Sequence, residues 1–426
     1  MYITYTLLLA LGMACALPYY WWRGRSDGRY LRTFRERMGR LPPGLSASGP
    51  SIWIHAVSVG EVIAAGTLIA PLRRRFPAHA LFLSTTTLTG HTVAHERLSG
   101  LDGLFFAPFD FPGPVRSTLR AIRPALFVLI DTELWPNMLW QTHRSGAKIA
   151  LVNGRISERS FPRYKRLRPW LTRVLENVDV FLMQAEIYAE RLVAVGAVSE
   201  RVRVTGSLKF DAAREESPSA ELRARLGTPS ADSPLWVAGS TVPDEESAVL
   251  EAFGRVRREH PRTRLLLAPR HPERADQVSA LIQAAGFHCV RRSQLQPGEW
   301  SSPETVLLLD TLGELAQTYS LASVVFVGGS LVPKGGHNIL EAAAAARPII
   351  VGPHMHNFQQ IAEVFRAEGA MLEVSTGAAL GEAVSNLLGD PVRCAALGQQ
   401  GRAIIERHRG VVARTVDSLA DLLREH

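Results

Sequence analysis

The chain has 426 residues, too many for one ordinary α/β domain and comfortable for two. Hydrophobic residues make up 46% and charged residues 21%, with no long low-complexity tract, which excludes a disordered chain. A net charge of +8 points to acidic partners (nucleic acid, anionic lipid or phosphorylated substrates) or to a solvated Arg-rich surface, and Cys15, Cys289 and Cys394 form no CxxC or Cys/His pattern that would hold zinc or a disulfide framework.

Residues 1–22 carry no charged side chain. As a straight helix they would reach about 33 Å, near the hydrocarbon thickness of a bilayer. Tyr19, Tyr20, Trp21 and Trp22 then read as an interfacial aromatic belt. Arg23, Arg25, Arg29, Arg32, Arg35, Arg37 and Arg40 follow, opposed only by Asp27 and Glu36, so the positive-inside rule puts the rest of the chain in the cytoplasm. A secretory signal would carry its charge before the apolar run, although Ala14-Cys15-Ala16 resembles a cleavage site. Pro18 shortens the unbroken run and leaves a buried or interfacial helix as the alternative.

Apolar runs at 52–57, 80–83, 126–130, 148–152 and 178–182 predict buried strands. Amphipathic stretches such as 61–75 and 163–176 lie between them, so a parallel sheet covered on both faces is expected. The pattern breaks over 206–232, which is polar, rich in Pro and Gly, and reads as a linker. Alternation restarts at 235–238, 265–268, 306–309, 324–327 and 349–351, and the tail from 380 to 426 is mostly helical. Two such halves suggest a cleft, with chemistry just after the carboxyl ends of strands.

Glu61 follows the first strand and opens a helix, where it either complements the helix dipole or acts as a general base. After the strand at 126–130, two acids beside Trp135 and Pro136 are unusual; they either mark chemistry or Asp131 or Thr132 simply caps the next helix, with Pro136 in its first turn. Asp131 and Glu133 lack a third ligand and do not make a metal cage. Lys209 is either a phosphate contact or a solvated linker lysine, and Arg270 is either a strand-end phosphate partner or one charge of a surface loop. Gly328-Gly329-Ser330 and Lys334-Gly335-Gly336-His337-Asn338 precede a helix at 339–346, so backbone amides there can approach an anion. Asn338 and Glu341 share a face of that helix. GxxxxGK[ST] and GxGxxG are both missing.

Taken in order, these loops resemble the Kdo (3-deoxy-D-manno-octulosonic acid) transferases of lipopolysaccharide synthesis. The matching pieces are SVGE (58–61), TELWPN (132–137), GSLKFD (206–211), APRHPER (268–274), DTLGEL (310–315), GGHNILEAA (335–343) and GPHMHNF (352–358). The uncharged and then basic N-terminus fits as well. The chain departs at Ala342, where the family usually has Pro, and at Ser207, Leu312 and Ile339.

The resemblance implies a GT-B fold of two Rossmann-like domains facing a central cleft. Its expected divisions are a membrane anchor at 1–22, an acceptor domain at 23–205, a linker at 206–232, a CMP-Kdo domain at 233–405 and a C-terminal helix at 406–426. It implies inverting transfer of Kdo from CMP-Kdo to the lipid A precursor, with no metal at the centre and no cofactor. Glu61 would be the base, with Glu133 and Lys209 stabilising the transition state. CMP would be held by Pro269, Arg270, Leu312, Gly313, Glu314, Asn338, Ile339, Leu340 and Glu341. The implied partners are CMP-Kdo, the lipid A precursor and an anionic membrane surface, not nucleic acid, at the cytoplasmic side of the bacterial inner membrane. The competing readings are a UDP-sugar transferase acting on a lipid-linked acceptor, a Rossmann dehydrogenase, which the missing GxGxxG disfavours, and a non-enzymatic membrane adaptor.

Overall fold

The computed structural model describes the chain except residues 27, 28, 228, 229, 231, 297, 298, 301, 425 and 426, and it describes no side chains over 17–32. The aromatic belt and Arg23, Arg25, Arg29 and Arg32 therefore lie outside the described side chains. Two compact units are present, one formed by Met1–Ala212 with His408–His426, the other by Ala213–Arg407.

The first unit contains β1 (Ser51–Ala56), β2 (Ala80–Thr85), β3 (Gly103–Phe106), β4 (Pro124–Ile130), β5 (Lys148–Gly154), β6 (Val180–Met183) and β7 (Val202–Val204). They make one parallel sheet in the order β3-β2-β1-β4-β5-β6-β7. Each inner strand is buried on both faces, which is why its sequence is a nearly continuous apolar run. Trp53, Phe127 and Leu129 enter one core, and Ile52, Ile54, Val128 and Ile130 the other. The C-terminal helix Val411–Arg424 lays Val411, Val416, Leu419 and Leu422 on this second core. Asp211 holds its start by accepting from the amides of Gly410 (2.7 Å) and Val412 (2.5 Å).

The second unit contains β8 (Leu235–Thr241), β9 (Arg264–Pro269), β10 (His288–Arg291), β11 (Thr305–Leu308), β12 (Val324–Val327), β13 (Ile349–Val351) and β14 (Leu372–Glu373). It too is a parallel sheet, ordered β10-β11-β9-β8-β12-β13-β14. Strand order reverses between β1 and β4 in the first unit and between β8 and β12 in the second. Each reversal leaves a crevice at the carboxyl ends of the strands, where α/β sheets bind ligands.

Four strands, β3, β7, β10 and β14, escape the apolar-run reading, and all four are sheet edges. The stretch 163–176 is two helices, Phe161–Arg166 and Arg168–Leu175, because Pro169 cannot continue the first and suits the opening turn of the second. The segment 206–232 is not one linker. Leu208 and Phe210 are buried in the first unit, whereas Leu222 and Leu226 of the helix Ala220–Leu226 are buried in the second.

The N-terminal helix, Tyr2–Ser26, differs most from expectation. Its first turns are docked on the body of the first unit. Tyr2 stacks on Trp140 at 4.6 Å and Tyr5 lies 5.9 Å from Trp170. The Asn137 amide donates to Thr6 Oγ1 at 2.9 Å, and Asn177 donates to the Tyr2 hydroxyl at 2.8 Å. The opposite face leaves Ile3, Leu7, Leu8 and Leu11 exposed. Among the described residues no helix is long and apolar enough to cross a membrane. Arg37, one of the seven clustered arginines, is used internally: it donates to Thr86 O at 2.6 Å and stacks on Phe106.

Candidate active site

β1 ends at Ala56, and the chain turns through Ser58 into the helix Val59–Arg75. Glu61 folds back over this turn. The Val57 amide donates to its Oε2 at 2.6 Å and the Ser58 hydroxyl to its Oε1 at 2.9 Å. Burial raises the Glu61 carboxyl above the ordinary range. The hydrogen bonds from Val57 and Ser58 oppose this, Asp131 pushes the same way, and Arg155 pulls it down.

β4 ends at Ile130, and Asp131 follows with a left-handed backbone, φ 63°. Such a conformation in a non-glycine residue persists only where its surroundings hold it. Here Asp131 Oδ2 accepts from Arg155 Nε at 2.8 Å, and the Thr132 hydroxyl bridges the Arg155 carbonyl and amide at 2.5 and 2.9 Å. Neither Asp131 nor Thr132 caps the next helix. The helix starts at Pro136, and Asp110, after β3, accepts from the amides of Asn137 (3.1 Å) and Met138 (2.6 Å). Burial raises Glu133 to about 7, with Glu61 and Asp131 adding repulsion; the Trp135 indole N–H faces the carboxyl and opposes the rise, without reaching ordinary hydrogen-bond geometry.

Lys209 opens the short helix Lys209–Ala212 in this same unit. Its position is set from behind, where the Leu208 amide donates to Asn153 Oδ1 at 3.1 Å. Burial lowers the Lys209 ammonium, Arg155 adds to the effect, and Asp131 counters it. Asp131 and Arg155 thus link Glu61, Glu133 and Lys209 electrostatically into one cluster built from residues that follow β1, β4, β5 and β7. Arg155 is the member that sequence reasoning missed. Its signal was its place one residue after β5, where the rule that pointed to Glu61 applied equally.

A pH dependence follows from Glu133. A carboxyl raised from 4.5 to about 7 adds stability that is complete below its unfolded value and is lost as pH rises through the folded one. Thermal melts from pH 4 to 8 should fall more steeply in the wild type than in Glu133→Gln. Parallel slopes would show that Glu133 titrates as an ordinary carboxyl.

In the second unit the strand-end groups divide into scaffold and open positions. Glu245, fully buried, opens the helix Glu245–Glu259. It accepts from the amides of Val242 (3.1 Å), Gly329 (2.6 Å), Ser330 (2.9 Å) and Leu331 (2.8 Å). The amides of the GGS turn, expected to meet a ligand anion, therefore hold the protein's own carboxylate. Gly328 is required there, because a Cβ would come within 2.6 Å of Ser240 O and 2.8 Å of Glu245 Oε2. Neighbouring Glu246, also fully buried, pairs with Arg274 at 2.7 Å.

Pro269 ends β9 and is buried, while the Arg270 amide is fixed on Thr241 O at 2.8 Å and its side chain is exposed. Burial lowers His337 to about 4, and the charge of Arg270 contributes; the same charge counters the burial-driven rise at Glu341. Asn338 Nδ2 donates to Glu341 Oε1 at 3.0 Å and its Oδ1 accepts from the Leu340 amide at 3.2 Å. Arg270, His337, Asn338 and Glu341 thus come together, with Ile339 and Leu340 buried beneath. Leu312 is 79% exposed and Gly313 takes φ 84°, whereas Glu314 is tied to Arg292 at 2.7 Å. Glu314 begins the helix Leu315–Tyr319, which packs on the helix Leu340–Ala344.

Residues 32–212 match the sequence profile of a family described as 3-deoxy-D-manno-octulosonic-acid transferase (kdotransferase). A 3-deoxy-D-manno-octulosonic acid transferase of Bordetella pertussis is 37% identical over 98% of this chain and 99% of its own length. The protein of the same name from Haemophilus influenzae is 31% identical over 99% of both chains. The structure of UDP-GlcNAc 2-epimerase from Neisseria meningitidis covers 88% of this chain and all of its own (100%) with a TM-score of 0.58 at 12% identity, a likeness of fold alone.

Proposed function

Because the chain belongs to the Kdo transferase family, glycosyltransferases of lipopolysaccharide core synthesis, we propose that it moves Kdo from CMP-Kdo to the lipid A precursor with inversion. The observation that carries the residue roles is that Asp131 interacts electrostatically with each of Glu61, Glu133 and Lys209, and that Glu133 also feels Glu61. Glu61 takes the proton from the acceptor hydroxyl as that oxygen attacks the anomeric carbon. Its raised carboxyl suits this task better than an ordinary one, since a base works best with a pKa near the operating pH. Glu133, titrating near neutrality, and the cationic Lys209 stabilise charge that develops on the reacting groups. A UDP-sugar donor is the reading that the family does not favour.

CMP is held in the second unit by Pro269, Arg270, Leu312 to Glu314 and Asn338 to Glu341. Arg270 supplies the exposed guanidinium and Asn338 with Glu341 a paired donor and acceptor. CMP leaves with one phosphate, so a metal clamp is less necessary than for a diphosphate. Asp131 of the first cluster is paired with Arg155, which takes one carboxylate away from any metal. We place the protein at the cytoplasmic side of the bacterial inner membrane. The exposed Ile3, Leu7, Leu8 and Leu11 stripe supports membrane contact by the N-terminal helix, and the basic residues that follow favour an anionic surface.

Mass spectrometry of the purified protein with CMP-Kdo and the lipid A precursor tests the reaction, and a product lacking the added Kdo mass overturns it. Arg270→Ala should weaken CMP about 10- to 100-fold, the range of a lost charge-assisted hydrogen bond, and EDTA should leave turnover intact. Calorimetry and an EDTA titration check both. Unchanged CMP affinity, or inactivation reversed by a divalent ion, contradicts the assignment.

A further inference from the structure

Glu61, Glu133 and Lys209 stand on three separate loops, and the end of β5 ties two of these loops together. β4 and β5 are parallel neighbours, with Ile130 beside Val152. Just beyond that pair the Asp131 amide donates to Val152 O at 2.9 Å. The Thr132 hydroxyl bridges the Arg155 carbonyl and amide, and Arg155 Nε donates to Asp131 Oδ2 at 2.8 Å. Asp131 Oδ1 accepts from the Thr132 amide at 2.7 Å, so both carboxylate oxygens are engaged. Two residues before Arg155, Asn153 fixes the Leu208 amide, next to Lys209, and its carbonyl accepts from Gln184 Nε2 at 2.7 Å. Asn153, like Asp131, has a left-handed backbone, φ 60°. Two such residues on neighbouring strand ends are kept in place only by bonds of this kind. The Arg155–Asp131 bond is the one among them that joins two charges, with Asp131 mostly buried and Arg155 half-exposed.

The same pair bears on the groups with proposed roles. After burial and the bonds from Val57 and Ser58, Asp131 raises the Glu61 carboxyl and Arg155 lowers it. Glu133 is raised by Glu61 and by Asp131. Lys209 opens the short helix that packs on the helix of Glu61, and there Arg155 lowers the ammonium while Asp131 raises it. Tyr164, of the helix Phe161–Arg166, meets Arg163, Glu133 and Asp131. Two further helices pack on that of Glu61, but His91 of the one at Leu88–Arg97 faces His95 and Arg37, and Arg414 of the C-terminal one donates to Thr205 O at 2.9 Å. Asp131 and Arg155 therefore act with opposite sign on Glu61 and on Lys209. We propose that Arg155 is a positioning residue of the transfer reaction: clamped on Asp131, it holds the β4 and β5 loops together and offsets the Asp131 charge in front of Glu61 and Lys209. The assignment rests on the base role given to Glu61 above.

The full chain in detergent is assayed with CMP-Kdo and the lipid A precursor across a range of pH. kcat/KM for the acceptor should rise with pH as the base loses its proton, and this acidic limb reports Glu61 and Glu133 as a coupled pair. Arg155→Gln should lower kcat about 10- to 100-fold, the range for a misplaced reacting group, with CMP affinity unchanged. It should also move the limb to higher pH, since a charge that lowers Glu61 is gone. Asp131→Asn should move the limb to lower pH, since Asp131 raises both acids. Combining the two changes should bring the limb back toward the wild type. Arg155→Lys should keep the limb in place but not the full rate, because an ammonium has the charge without the planar fork. If Arg155→Gln misfolds or turns over too slowly to profile, Asp131→Asn and Arg155→Lys decide. A limb that stays fixed in Asp131→Asn, moves the same way in Asp131→Asn and Arg155→Gln, or rises in Arg155→Lys overturns the clamp. So does a higher acceptor KM in Arg155→Gln with kcat and limb unchanged, which would make Arg155 a substrate contact. Near-normal turnover in Glu61→Gln refutes the base role itself, independently of these variants.

Discussion

Replacing Glu61 by Gln should lower Kdo transfer by about 10²–10⁴-fold, the usual value of a general base, while CMP binding persists. The substitution separates the proposed role as base from the local hydrogen bonds of the same carboxylate. Glu61 closes the start of its own helix through Val57 and Ser58, and Gln keeps an oxygen able to accept from Val57. It cannot take a proton. Thermal stability should therefore stay close to that of the wild type while turnover collapses. Initial rates by mass spectrometry, CMP calorimetry and a melt on the same sample measure all three quantities. Near-normal turnover would reduce Glu61 to a cap, and a large fall in melting temperature would mean that the activity loss is structural.

Replacing Glu245 by Ala should destabilise the second unit by about 3–5 kcal/mol, the range for breaking a buried charged network. Four backbone amides lose their acceptor at once, and three of them belong to the turn at Gly329, Ser330 and Leu331. Burial raises the Glu245 carboxyl and the amides counter it, so the native arrangement balances desolvation against these bonds. Gln in its place keeps one oxygen but turns an amide N–H₂ toward donors, so it should fall between wild type and Ala. Denaturant titration of the three proteins decides the matter. A loss below about 1 kcal/mol for Ala would mean that water or a rearranged turn satisfies these amides without the carboxylate. His337 packs against this turn, its ring 2.8 Å from where a Gly329 Cβ would lie, so CMP binding should weaken along with stability.

The places where the structure adds most to the sequence reading share a cause. Capping by Asp131 or Thr132 is the bland alternative for a loop just ahead of a helix, but Asp110 does the capping from 27 and 28 residues away. The GGS turn was expected to hold a ligand anion because its amides are unencumbered in sequence, but Glu245 reaches it from 84 to 86 residues away. The uncharged first residues read as a membrane anchor, with a buried or interfacial helix as the alternative. Tyr2, Tyr5 and Thr6 dock on the body through partners well over a hundred residues distant. In each case a polar group found its partner across the fold.

The ten inner strands, their grouping into two α/β halves, and the loops at strand ends that carry Glu61, Glu133, Lys209, Arg270, Asn338 and Glu341 were legible in the amino-acid sequence. Burial on both faces writes an inner strand as a continuous apolar run, and the carboxyl-end rule places chemistry directly after it. Edge strands such as β7 and β14 face solvent and carry no such run. Which strand-end charges hold the scaffold emerges only from the folded chain. A carboxylate paired with Arg155, Arg274 or four amides is indistinguishable in sequence from one left to react, because hydrogen bonding depends on distance in space and the partners are brought together only by the order of strands in the sheet.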